Sequence, residues 1–366
     1  MVAGISLLLA VGVTAGDAGN GPPPRTIGTQ FGVSLIAMDG PRVAYAGGAI
    51  GTHCPRIFVW NVWSRQQRAV SHLRTCYVAE LAVAGRRVAW IVRRAGNTEW
   101  NDKLYVSSTA RERLLASTAR YAYECSDDPR CMSGTWIHGL VGSGNLLAVS
   151  RWTTDTRSGV QRVSRGGLDV IGAHRLQRVV AGRDGIVAAP ADSGRVAVLR
   201  PSGTIHELGN YEPEGVAVYS STGKLLKELR PAGIELVKGD HMAQIALSGT
   251  YLAVLTVEPR LELYNWRTGA LLHSRAMPVG AGHLALSGQI AAYLVTHYDK
   301  SLALHVVQAR TGRDVVLARS LTGFGFADVD LDALGLAYAT FGRAGHPGKL
   351  AFVPMAQVKK ALAGRR

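Results

Sequence analysis

The chain is written in short apolar runs of four to seven residues, separated by turn signals. Leu247–Ser274, LSGTYLAVLTVEPRLELYNWRTGALLHS, shows the unit most clearly: strand, turn, strand, tight turn, strand, broken at Ser248-Gly249, Glu258-Pro259 and Thr268-Gly269. Degenerate copies of this unit account for most of the sequence. Their marker is a bulky apolar residue followed by Ala, a few residues after a Gly turn: Val43-Ala44, Val88-Ala89, Leu147-Ala148, Val187-Ala188, Leu252-Ala253, Ile290-Ala291 and Leu336-Ala337. The seven pairs lie 38 to 65 residues apart. Short strands at this period, apolar throughout rather than strictly alternating, predict small sheets that bury both faces against their neighbours. A second turn is expected between third and fourth strands. It reads RTG at Arg267–Gly269 and Arg310–Gly312, STG at Ser221–Gly223 and PSG at Pro201–Gly203, with Gly supplying the positive φ of a tight hairpin.

On LELYNWRTGALLHS and the apolar-Ala pairs, the chain resembles the broad β-propeller class that includes WD40, TolB-like and quinoprotein repeats, from about residue 27 to 354. Asn265-Trp266 stands where WD40 repeats close a strand with Trp-Asp, and no docking Trp follows Thr268-Gly269, so the likeness is to the architecture and implies no quinone. It implies an all-β, seven-bladed β-propeller with a short C-terminal helix. Eight blades are the alternative, because Gly203 and Gly223 lie only twenty residues apart and a truncated blade would fit between Leu208 and Val237. The expected layout is a signal segment over 1–16, a Pro/Gly-rich linker over 17–25, the propeller over 26–354 and a basic helix and tail over 355–366. The last unit supplies three strands, Asp328–Leu331, Leu336–Phe341 and Lys349–Val353. Arg25–Thr29 is expected to add its missing outer strand and close the ring without an unpaired edge; an open last blade capped by the helix is the alternative.

Aligning the units on the first-turn Gly, or on Ala333 in the last unit where the Gly is displaced, places Glu80, Gln177, Gln244, His283 and Asp328 five residues before it, with Leu35 and Gly139 in the remaining two. His138, Asp240 and His241 flank members of this set. The alignment predicts a polar ring where each innermost strand begins, at the mouth of a central channel. Convergent polar groups from several blades would make a ligand pocket; strand starts at a wet channel are also polar without binding anything. The cysteines are expected to pair as Cys54–Cys76 and Cys125–Cys131, stapling one face. A zinc reading using His53, His72 and His138 is the alternative, although the spacing matches no compact metal motif. Asp127-Asp128 are read as solvated acids rather than calcium ligands. No GxSxG, HExxH or CxxC occurs, and GRAGHPGK over Gly342–Lys349 fails the phosphate-loop spacing and lacks its Ser or Thr, so no catalytic residue is assigned.

Charge adds a partner class. The net charge is +15, and arginine supplies most of the 41 basic residues. Arg151 to Arg183 is the densest stretch. It lacks the aromatic interleaving of a single-strand nucleic-acid platform, so no specific nucleic acid is expected. An anionic envelope ligand or an unknown protein is the expected partner, and the chain is expected to be a monomer. MVAGISLLLAVGVTAG has an apolar run from Ile5 to Thr14 and a small-x-small ending, although no Lys or Arg precedes the run. It is read as a secretory signal, which puts the protein outside the cell or in its envelope. No later segment approaches a membrane span. The leading function is a non-catalytic binding scaffold with no cofactor assigned. The alternatives are a hydrolase or lyase using channel-mouth His and acid residues, such as His283 with Glu80 or Asp328, and a charge-driven binder of anionic polymers.

Overall fold

The structure is a computed structural model that describes residues 25–29, 32–48, 56–71, 77–96, 99–108, 111–123, 131–157, 160–182, 187–206, 210–234, 243–296, 302–319, 326–340 and 348–364. Its strands are β1 (Arg25–Thr29), β2 (Gly32–Asp39), β3 (Arg42–Gly48), β4 (Arg56–Asn61), β5 (Gln67–Ala69), β6 (Val78–Ala84), β7 (Arg87–Ala95), β8 (Glu99–Ser107) and β9 (Glu112–Tyr123). There follow β10 (Cys131–Ser143), β11 (Leu146–Arg157), β12 (Val160–Ile171), β13 (Leu176–Gly182), β14 (Val187–Asp192), β15 (Arg195–His206), β16 (Asn210–Ser220) and β17 (Leu225–Leu229). The chain continues through β18 (Gln244–Ser248), β19 (Tyr251–Leu255), β20 (Arg260–Asn265), β21 (Ala270–Ala276), β22 (Ala281–Ser287), β23 (Ile290–Thr296), β24 (Leu302–Gln308) and β25 (Arg313–Arg319). It ends with β26 (Phe326–Leu331), β27 (Gly335–Thr340), β28 (Gly348–Pro354) and helix α1 (Met355–Ala363).

Pairing is antiparallel throughout and runs in quartets. β2–β5, β18–β21 and β22–β25 are separate four-stranded sheets, and β6–β9, β10–β13 and β14–β17 are successive runs of one twelve-stranded sheet. The fusion has a physical cause: β9 to β12, β15 and β16 run to 11–13 residues, against five or six for β18 to β20. The overhanging ends find one another, Cys131–Gly134 against Arg120–Tyr123 and Arg162 against Thr204. The first strands touch in cyclic order, β2 to β6, β10, β14, β18, β22 and β26, and β26 returns to β2.

The last sheet has the order β1-β28-β27-β26. Arg25 to Thr29 face Phe352 back to Gly348, so the N-terminal strand closes the last quartet as expected. The hairpin between first and second strands turns on Gly40, Gly85, Gly144, Gly194, Gly249 and Gly288, all at φ between +54 and +77, where a Cβ would be strained. The alanines after them, Ala44, Ala89, Ala148, Ala197, Ala253 and Ala291, and Ala337 in the last quartet, are completely buried. Each sheet is packed on both faces. Val43 and Tyr45 of β3 join the core shared with Leu350 and Phe352, whereas Ala44 and Ala46 join that shared with Val88 and Trp90. That two-sided burial is why the strands read as apolar runs.

Two sequence assignments move. Val187-Ala188 starts a first strand, and the true counterpart of the other pairs is Val196-Ala197 in β15. Pro201–Gly203 lies inside β15, where register shifts flank it, and residues 210–229 form the third and fourth strands β16 and β17. Among the described residues no helix is long and apolar enough to cross a membrane.

Candidate functional site at the channel mouth

A central channel of about 280 Å³ is lined by the first strands of every quartet, from Ile36–Asp39 to Val329–Ala333. One edge of each first strand pairs with its own second strand. The other faces the channel and leaves backbone N–H groups that need acceptors. The predicted ring residues supply them. Glu80 Oε2 accepts from the Leu140 N–H at 2.6 Å, Gln244 Oε1 from Leu284 at 2.9 Å and Asp328 Oδ2 from Ile36 at 3.0 Å. In each case the acceptor reaches the residue one past the equivalent position in the next quartet. Register shifts at Val78/Glu80 in β6 and at Phe326/Asp328 in β26 aim Glu80 and Asp328 sideways, which is what a bulge does; β18, which carries Gln244, pairs without a shift.

Two histidines join the ring. His138 Nδ1 lies 2.5 Å from Glu80 Oε1. His283 Nδ1 lies 3.3 Å from Asp328 Oδ1, its side chain is 52% exposed, and its backbone sits at φ 56°. The Asp328 hydrogen bond raises the His283 pKa, more than burial lowers it. Burial alone would raise that of Glu80, but His138, Arg93 and the Leu140 N–H together hold it below the ordinary range.

A second set of acceptors, which sequence reasoning missed, works nearer the hairpin turns. Asp39 accepts from Gly85 at 2.6 Å and from Gly144 at 2.9 Å, spanning three quartets; Asp192 serves Gly249 at 2.6 Å and Ser248 serves Gly288 at 2.9 Å. Asp330 and Asp332 accept from Met38 and Gly40, each at 2.7 Å. With Asp328 they make three rungs, at alternate residues along β26 and the residue just past it, that hold β2 and its turn. Burial raises the Asp330 pKa to about 7, its two backbone donors opposing and the neighbouring Asp328 and Asp332 reinforcing. Asp332 is raised for the same leading reason. The signal was present, since Asp or Ser precedes most turn glycines, but those residues also read as ordinary turn formers.

Gln177 does not belong to the ring. It lies on outer strand β13, opposite Val170; the residue five before Gly194 is Ala189, and the slip follows from anchoring on Val187-Ala188. Asp240 and His241 lie outside the described residues, as do Cys54, Cys76, Cys125, His53, His72 and Asp127-Asp128, and Cys131 is described by its backbone alone. Among the described residues no group of three or more His, Cys, Asp and Glu is arranged to hold a metal ion.

Behind Glu80 a charged chain runs inward. Arg93 Nη2 is 3.6 Å from Glu80, and its Nε is 2.9 Å from Asp102. Asp102, fully buried, also accepts from Arg120 at 2.6 Å and from the Ile137 N–H at 3.2 Å. The Arg120 guanidinium lies 3.7 Å from the Trp136 ring centre. The next quartet repeats the device, with buried Asp169 between Arg151 at 2.7 Å and Arg178 at 2.5 Å. Two arginines of the basic stretch are thus committed to an internal acid.

No family model matches the chain, and no curated protein matches it in sequence. Solved structures do match. A chain of the mitotic checkpoint complex aligns at TM-score 0.52 and 13% identity, covering 95% of this chain and 100% of that one. The computationally designed Ika8 protein aligns at TM-score 0.47 and 12% identity (89% and 98% covered), and BamB from Moraxella catarrhalis at 0.43 and 9% (88% and 85% covered). The cyclic quartets and the checkpoint-complex alignment define the architecture as that of the β-propeller repeat proteins.

Proposed function

We propose that the protein is a non-catalytic, seven-bladed propeller scaffold, exported from the cell or held in its envelope, that works by binding a partner. Support for seven comes from the cyclic contacts of β2, β6, β10, β14, β18, β22 and β26. Support for a scaffold comes from the channel mouth, whose acceptors are spent on backbone N–H groups of the next quartet. A rim so engaged serves to hold blades together, and contacts with a partner fall to its loops and turns. The two His–carboxylate pairs keep a second reading in view, because His283 is exposed, raised in pKa and held in a strained backbone conformation beside Asp328, as acid–base catalysts often are.

The test combines imaging, fractionation and mutation. Two-dimensional averages of the purified particle are expected to show a seven-fold ring, and cell fractionation is expected to recover the chain with exported or envelope material. Retention on envelope fractions is expected to survive His283→Ala and His138→Ala. Turnover of any substrate from a hydrolase and lyase panel that His283→Ala abolishes would replace the scaffold with the enzyme.

A further inference from the structure

In each quartet the turn joining third and fourth strands lies at the same end as the turn joining first and second, because successive strands are antiparallel. The links from Asp39, Asp192, Ser248 and Asp332 to neighbouring turn glycines bring these ends onto one face. Every complete third-to-fourth connection carries an exposed basic residue there: Arg65, Arg111, Arg175, Lys224, Arg267 and Arg310. None of the six belongs to an ion pair among the described residues. In the last quartet the same position is taken by α1, which exposes Lys359. The charges are therefore spread one per quartet over the same face.

Two further observations bear on the partner. Trp63, 47% exposed, and Leu334, 36% exposed, stand on the same face at the β4–β5 and β26–β27 turns. β1 also begins there: Arg25 pairs with Phe352 next to α1, and its guanidinium reaches the carbonyls of Val62 and Trp63. The first described strand thus starts at the basic face.

We propose that this face docks on an anionic lipid bilayer. A linear polyanion would engage a stripe or groove, whereas separated charges, one per quartet over one face, match a plane of laterally mobile anionic headgroups. Interfacial Trp and Leu beside basic residues suit the same boundary. The inference deepens the scaffold reading and rests on it.

The test is co-sedimentation of the full chain with phosphatidylglycerol–phosphatidylcholine vesicles and with pure phosphatidylcholine vesicles. Binding is expected on the anionic vesicles only. Each basic residue near such a surface is worth about 5-fold in affinity, so R65S/K224S/R267S/R310S is expected to lose on the order of 100-fold or more. The matched variant R56S/R94S/R230S/R319S, with four exposed charges removed from the opposite end, is expected to lose less than about 5-fold, because those residues lie beyond a Debye length from the lipid. Equal losses in the two variants, equal binding to neutral vesicles, or tighter binding to soluble polyphosphate than to vesicles at equal anion concentration would each overturn the assignment. These outcomes leave the scaffold reading to its own test, His283-dependent turnover.

Discussion

Asp330 offers the sharpest test of the channel rungs. It accepts from Met38 at 2.7 Å and from its own neighbour Leu331 at 2.8 Å, but burial and the flanking Asp328 and Asp332 hold its pKa up to about 7. A carboxyl whose folded pKa lies above its unfolded value contributes stability that is full below the unfolded value, 3.8, and is lost as pH rises through about 7. Asn mimics the protonated carboxyl: it keeps one acceptor for Met38 and carries no charge. Asp330→Asn is therefore expected to match the native protein near pH 4 and to be the more stable at pH 8. The full shift corresponds to about 4 kcal/mol as an upper bound, and solvent at the half-buried rim brings the expectation to about 2–4 kcal/mol. At about 2.1 cal/mol/K per residue, the 366-residue chain gains about 1.3 °C in Tm per kcal/mol, or about 3–5 °C in all. Thermal unfolding of both proteins from pH 4 to 8 reads the difference directly. Other titrating groups, such as Glu80 and Asp314, act alike in both proteins and cancel in the comparison. Asp330→Ala, which strands the Met38 N–H and carries no charge either, should lie about 1–3 kcal/mol below Asp330→Asn at every pH. A gap between Asp330→Asn and the native protein that is independent of pH, or that opens toward acid, would refute the reasoning.

Other expectations follow from the same bonds. Asp102→Asn, measured by urea unfolding, should cost about 3–5 kcal/mol because it strands Arg120, which is 1% exposed; Asp169→Asn should cost less, about 1–2 kcal/mol, because water can reach the third-exposed Arg151 and Arg178. Removal of residues 1–24 should leave a folded, soluble ring, whereas removal of 1–29 exposes the β28 edge and should produce aggregation in light scattering. His283→Ala should destabilise most below pH 6.5, with the difference fading as pH rises through the raised native pKa. Across the same pH range His283→Gly should stand about 1 kcal/mol above His283→Ala, because Gly takes φ 56° without strain.

The strand plan was legible because two-sided burial writes apolar runs and the hairpins demand Gly at positive φ. Val33 and Ile57, like the motif alanines, are completely buried. Closure by Arg25–Thr29 was legible for a simpler reason, a last unit one strand short. The ring position was legible wherever a turn Gly set the count. It failed at Gln177, where two apolar-Ala pairs nine residues apart compete and nothing local tells a first strand from a second. What Glu80, Gln244 and Asp328 touch was not legible at all: their partners are backbone N–H groups about 40 to 290 residues away, and any sequence supplies an N–H. The joining of the β6–β9, β10–β13 and β14–β17 runs depends on strand overhang, which turn residues do not encode.

The acceptors are not spread evenly, and their placement follows from how a propeller is shut. Every quartet but the last is one continuous piece of chain, whereas the last holds β26–β28 and the far-distant β1 by hydrogen bonds alone. Because β2 follows β1 after only two residues, freeing β1 from β28 would pull on β2 at once. The three rungs from Asp328, Asp330 and Asp332 hold β2 and its turn at that point. Each such hydrogen bond is worth about 1 kcal/mol, and more where the acceptor is charged, so the three rungs add materially to the five-residue β1–β28 ladder. Between β18 and β22 two side-chain links, Gln244–Leu284 and Ser248–Gly288, suffice, and covalent continuity already limits how far these adjacent quartets can part. The raised pKa at Asp330 comes first from its burial and then from Asp328 and Asp332 crowded beside it. The crowding occurs where the ring has a second clasp to make.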